Sequence, residues 1–295
     1  MLAVTVYFVC GVLAGRVLHA PGRVSHVMNL WVVNVALPAL ILARLPGLAI
    51  GQEVVVPFAV SWGMVVLGAA VVLALARTGR LSRGETGALL LLVPLGNTSF
   101  LGLPVVQAIL GQDHVPSALA FDQLGSFLAL ATYGLFVAGR YGSGEHGWRP
   151  VVRRLVRFGP FLALVGSVVL RGIDVPDGVH DVLVQLGRTV APVGVVSMGM
   201  RFVPRLRFER AGLIATGLVL KMVVLPGAAL LAAMLVGDLS AVPWQSSLLE
   251  AAMPPMVTAG VVGMSAGFDG DLTVSMVALG TIVCLVVMSF VSFVV

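Results

Sequence analysis

The feature that most limits what this chain can fold into is an interruption. From Pro94 to Pro104 it reads PLGNTSFLGLP, in the middle of an apolar run long enough to cross a membrane. Proline lacks an amide donor and its ring clashes with the preceding turn, so Pro94 and Pro104 predict a broken helix, loosened further by Gly96 and Gly102. Asn97, Thr98 and Ser99 bring polar groups into the gap. Unpartnered backbone groups cost several kcal/mol each in hydrocarbon, so such a break must be enclosed by protein or line a watery cavity.

That argument needs a membrane, and composition supplies it. Of 295 residues, 59% are hydrophobic and 11% charged, and the mean hydropathy is +1.06. Apolar runs of about 20 residues recur along the chain, which predicts spanning helices and excludes a barrel, whose strands would alternate. No stretch remains for a soluble domain. Cys10 and Cys284 both lie in apolar segments, so neither a disulfide framework nor a cysteine metal site is expected. The first run lacks a basic leader and reads as an uncleaved span.

Ten spans are expected, at about 1–19, 25–45, 54–76, 85–110, 117–139, 156–172, 179–201, 210–236, 243–267 and 272–295. Fourteen arginines, from Arg16 to Arg210, fall in the connections on one side, and only Arg44 and Arg171 on the other. The arginine-rich side is therefore expected in the cytoplasm of a cell inner (plasma) membrane, with both termini outside. The same sorting explains an isoelectric point near 10.0 better than nucleic-acid binding does.

A polar, basic linker at 140–155 separates residues 1–139 from 156–295, five spans on each side. Two related halves with an odd number of spans must insert in opposite senses, giving an inverted repeat. The motifs agree with this pairing. Asn34-Val-Ala-Leu-Pro38 in the second span answers Arg188-Thr-Val-Ala-Pro192 in the seventh, and PLGNTSFLGLP in the fourth answers the consecutive Pro254 and Pro255 in the ninth. The fold class expected is thus an all-α integral membrane protein of two inverted five-helix repeats whose broken fourth and ninth helices cross.

NVALPALI in the second span, GNTSFLGLP in the fourth, FDQLGSF in the fifth, Lys221 five residues before Pro226 and AAMPPMVTAGVVG in the ninth together resemble the auxin efflux carrier family over the full chain. The family includes plant auxin exporters and bacterial relatives associated with malonate, malate and similar acids. The resemblance implies the fold of bile acid sodium symporters, with spans 1, 2, 6 and 7 as a scaffold and spans 3–5 and 8–10 as a crossover core. Family members often carry asparagine where Thr258 stands here.

Broken helices leave up to four backbone groups unpaired at each end. Their amino-terminal ends suit a carboxylate, and their carboxyl-terminal ends a cation. Asn97, Thr98 and Thr258 are the expected substrate-binding side chains, with Gly96 and Gly102 permitting close backbone approach and Pro254 and Pro255 counted in the site. Asn97 has a second reading, as a helix cap alone. Asn34 faces the cavity or bonds across helices.

Intramembrane charges are functional candidates by default, and four occur, Asp122, Arg188, Lys221 and Glu250. Glu250, one turn before the Pro-Pro break, is the leading proton acceptor, because burial disfavours a charged carboxylate. Its bland alternative is an ion pair with Arg188 or Lys221. Asp122 serves ion coupling or is simply hydrated near the interface. Arg188 supplies a two-pronged donor for a carboxylate, while Lys221 either adds positive potential for ion coupling or ties its helix to broken backbone.

Two patterns are discounted. Gly263-Met-Ser-Ala-Gly267 matches the hydrolase elbow GxSxG, which requires a strand, a turn and partner residues that a membrane helix does not offer. A Walker A loop is excluded because Lys221, the sole lysine, follows Leu220. The five histidines lack ligand spacing, so no metal is expected. The reading is a non-enzymatic secondary transporter of small organic anions, working by alternating access without a cofactor, with a proton or sodium ion as coupling ion. A homodimer is compatible with it. Alternatives are an uncoupled facilitator of the same fold, or a membrane-embedded sensor or enzyme subunit.

Overall fold

The computed structural model describes residues 2–18, 21–46, 51–142, 159–170, 173, 175–200, 210–236 and 238–294. Most of the expected linker, from residue 143 onward, lies outside them, as do eight of the loop arginines, from Arg149 to Arg207.

The described chain is helical, without strands beyond one isolated bridge. We number its elements α1 (Leu2–Val17), α2 (Pro21–Arg44), α3 (Gln52–Ala76), α4 (Arg83–Leu92), α5 (Thr98–Ile109), α6 (Gln112–Tyr141), α7 (Gly159–Val169), α8 (Asp177–Met200), α9 (Ala211–Val236), α10 (Val242–Ala251), α11 (Val257–Ser265) and α12 (Gly270–Val294). Among the described residues, α2, α3, α6, α8, α9 and α12 are each long and apolar enough to cross a membrane. α1, α5 and α7 are shorter apolar helices. The pairs α4/α5 and α10/α11 are each divided at the prolines that the sequence singled out.

Proline shapes three helices in the same way. Pro38, Pro104 and Pro226 each follow a widened π-type turn, at Val32–Ala36, Thr98–Gly102 and Leu220–Val224. In each, the amide just before the proline reaches back five residues, Leu37 to Val32, Leu103 to Thr98 and Leu225 to Leu220. The wider turn accommodates a ring that would clash with a regular preceding turn.

One end of the molecule is set by ionic capping. Ser82 and Glu85 form a capping box at the start of α4, satisfying two amides that a helix start otherwise leaves free. Arg210 pairs with the same Glu85, and with Asp269 at 3.2 Å. Arg83 donates to the carbonyls of Arg140 at 2.8 Å and Tyr141 at 3.1 Å. These bonds gather the ends of α4, α6, α9 and α12 on one face, here the arginine face. At the opposite face Arg44 Nη2 donates to Gln112 Oε1 at 3.1 Å, and His114 Nε2 lies 2.9 Å from Gln245 Oε1.

The discounted GxSxG is a helix stop. Gly267 takes a φ of 82°, a conformation glycine enters without a Cβ penalty. The Phe268 amide bonds the Gly263 carbonyl at 3.0 Å and the Gly267 amide the Met264 carbonyl at 3.1 Å. This is a Schellman ending of α11.

Apolar packing falls into three clusters. The largest joins α3, α4, α6 and α9 to α12 around Leu89–Leu92, Leu130, Met256 and Met276, with no residue of α1, α2, α7 or α8. A second joins α2, α7 and α8 to α5 and the start of α6 through Ile41, Ala163, Val190, Val106 and Leu119. A third joins α1 and α8 to α5 and the far part of α12 through Phe8, Val195, Leu101 and Cys284. Elsewhere α1 and α8 approach so closely that a Cβ on Gly11 would strike the Val196 carbonyl, and one on Gly199 the Phe8 carbonyl. The small residues of α1 allow this contact between backbones.

Candidate functional site

The two helix breaks meet. Gly96 and Pro255 pair as an antiparallel bridge, with the Asn97 amide on the Pro254 carbonyl at 2.8 Å and the Met256 amide on the Leu95 carbonyl at 3.0 Å. Each break thus supplies what the other lacks, and the exposed-backbone cost that would forbid either alone is removed. Gly280 of α12 closes the rear of the crossing, where an added Cβ would come within 2.7 Å of Pro255. All of Leu91–Thr98 and Met253–Met256 is buried.

The first break is organised around Asp122, which lies in a widened turn of α6 and is fully buried. Its Oδ1 accepts from Thr98 Oγ1 at 2.5 Å and Ser99 Oγ at 2.6 Å, and its Oδ2 from Gln123 Nε2 at 2.6 Å. Hydrogen bonds to a charged acceptor are the shorter and stronger kind. The carboxylate therefore pins the start of α5 to α6. The interfacial, hydrated reading of Asp122 is corrected. Nearness to a loop in sequence sets height only, and the side chain turns inward onto the break. Ser99 and Gln123 are site residues that sequence reasoning did not select, although both stand in motifs it quoted.

The second break is furnished differently. Glu250, in the last turn of α10, is fully buried, and neither of its oxygens has a hydrogen-bond partner among the described residues. Its carboxyl lies against Gly102 of α5, where a Cβ would collide with Oε2. The alternative of an ion pair with Arg188 or Lys221 does not form among the described residues. Lys221, 1% exposed, instead donates to the Ala251 carbonyl at 3.3 Å, an acceptor at the carboxyl end of α10. Its ammonium also sits over Gly96, where a Cβ would come within 3.2 Å of Nζ. Glu250 is close enough to feel the charges of both Lys221 and Asp122.

Asn97 immediately precedes α5, at its N-cap, yet its side chain makes no capping bond. Its Nδ2 reaches Met198 Sδ of α8 at 3.4 Å, so the reading of Asn97 as a cap alone does not hold. Thr98 is wholly buried on Asp122, whereas Thr258, the second residue of α11, is exposed. Two expected residues make no described hydrogen bond to the crossing. Arg188 is exposed where Asp177–Gly187 gives way to Val190–Met200, and none of the described hydrogen bonds or ion pairs joins it to the crossing. Asn34 is exposed and donates to Leu30 of its own helix at 2.9 Å, so the expected bond across helices is replaced by one within α2.

An all-helical, multi-pass membrane chain with two mutually paired breaks enclosing buried charge has the architecture of a membrane transporter. Comparison with known proteins places it more narrowly. A family model described as membrane transport protein matches residues 1–146 and 148–292. An uncharacterized transporter of Methanothermobacter thermautotrophicus is 29% identical over 287 residues, covering 93% of this chain and 92% of that protein. Another, from Methanocaldococcus jannaschii, is 26% identical over 217 residues, covering 71% and 68%. The chain belongs to the membrane transport protein family, the auxin efflux carrier-like transporters.

Proposed function

We propose that this protein is a secondary transporter of small organic anions, carboxylates such as malonate, malate or auxin-like acids, moving them across the cytoplasmic membrane by alternating access. The observation that carries the reading is the crossing itself. The start of α5 at Thr98 and that of α11 at Val257 flank the paired breaks, and helix starts carry partial positive charge. Lys221 adds a full one beside Gly96. An anion is the ligand such a field favours. Asn97 and Thr258 are the side chains we assign to it, together with backbone at Gly96, Pro254 and Pro255.

Glu250 is the coupling group in this reading. A buried carboxyl with no donor holds a charge poorly, so it takes a proton or a sodium ion from whichever side the site opens to. Asp122, already held by three donors, serves to shape the site. The moving parts are spans 3–5 and 8–10 against spans 1, 2, 6 and 7, in two inverted repeats, with the arginine face in the cytoplasm and both termini outside.

The test is reconstitution into liposomes with labelled malonate, malate, lactate and an indole acid, with and without imposed proton or sodium gradients. Gradient-driven accumulation of at least one acid is expected. Flux of none would end the substrate assignment, and downhill flux indifferent to every gradient would make the protein a facilitator.

A further inference from the structure

Only Arg44 and Arg171 break the concentration of loop arginines on one face, and Arg44 has a partner. It ends α2, and its Nη2 bonds Gln112 Oε1 at the start of α6. This contact joins the two groups of helices that the transport reading sets in motion. The apolar clusters fall the same way. Both clusters that mix the two groups run from the crossing, at Leu101 and Leu103, toward the Arg44 end, with Val106, Leu119 and Ile41 in one and Cys284, Met288 and Phe8 in the other. Toward the arginine face α1, α2 and α8 pack on one another, with Met198 of α8 also reaching Asn97. Gly15 of α1 meets Met200 of α8, and Ser25 of α2 bonds Ser197 of α8, while the largest cluster holds no residue of α1, α2, α7 or α8.

We infer that the structure is the conformation closed at the Arg44 face, and that Arg44 and Gln112 form a polar latch that must separate each time this face opens. The inference rests on the alternating-access reading, and it adds a gate with named members. A guanidinium on a neutral amide suits the task. The bond is directional and stronger than a neutral pair, and it lies at the rim, with Gln112 exposed and Arg44 half-buried. The apolar clusters beneath it supply the seal.

The test reads opening directly and needs no substrate. A single reporter, Val106→Cys, is placed in the full chain with Cys10→Ser and Cys284→Ser, and its labelling by a polar maleimide is timed in nanodiscs. Val106 is fully buried in the second cluster, so labelling requires the Arg44 face to part. Slow labelling is expected with Arg44 and Gln112 intact. Arg44→Ala and Gln112→Ala should each speed it about five-fold, the double variant no further than either, because the two share one bond. Gln112→Glu, which makes the bond an ion pair, should slow it. Thermal unfolding of each variant separates opening from misfolding, and the slowing in Gln112→Glu cannot arise from damage. Unchanged rates in all three single variants would overturn the latch. Fast labelling with the latch intact would overturn the closed assignment. The transport reading fails separately, through absence of carboxylate flux in liposomes.

Discussion

At the first break, Gly96–Ser99, the nearest carboxylate is surrounded by donors; at the second, Glu250–Met256, it has none. Asp122 accepts three hydrogen bonds and joins two helices. Glu250, equally buried, faces Gly102 with both oxygens unpaired. The backbones solve the same problem in the same way, each break closing the other. What differs is the side-chain chemistry, and it separates two uses of buried charge. A fully satisfied carboxylate fixes geometry, whereas an unsatisfied one favours whatever ion can reach it.

Substitutions break that comparison in order of their effect on stability. Asp122→Ala comes first, since it leaves two buried donors, Thr98 and Gln123, and the half-buried Ser99 without an acceptor; a loss of about 3 kcal/mol is expected, read as a lower unfolding temperature in detergent. Lys221→Met should cost about 2 kcal/mol, by freeing the Ala251 carbonyl and removing positive charge from the crossing. If the unfolding temperature held, the ammonium would not be the cap that the geometry indicates. Gly102→Ala pushes the Glu250 carboxyl from its place, and about 1 kcal/mol is expected with a far larger loss of uptake. Equal losses of fold and uptake would mean that Gly102 serves packing alone. Asn97→Ala, with no capping bond to lose, should change stability by less than about 0.5 kcal/mol while cutting uptake.

Much of this was legible in the residues. Pro94, Pro254 and Pro255 mark the two breaks, and Pro104 marks the widened turn inside α5. Positions along a helix were readable because length converts to height. Positions around it were not. Arg188 and Asn34 are placed by sequence at a suitable depth, and both prove exposed. Asp122 seemed near enough to a loop to be wet, and it is dry because the widened turn Phe121–Phe127 faces it to Thr98. Hydropathy carries no signal for such a turn. The sorting of spans puts Glu85, Arg210 and Asp269 at one face, and the structure adds that Arg210 pairs with both acids.

The account rests most heavily on Glu250 as the group that couples flux to an ion gradient. Glu250→Gln keeps the shape and removes the charge, and replacing an unpaired buried carboxylate this way is expected to leave the unfolding temperature unchanged or higher. The decisive measurement is uptake of a transported acid into liposomes by this variant, with and without the driving gradient. The account predicts that accumulation against a concentration difference falls at least about ten-fold while downhill exchange persists. Undiminished gradient-driven accumulation would contradict it.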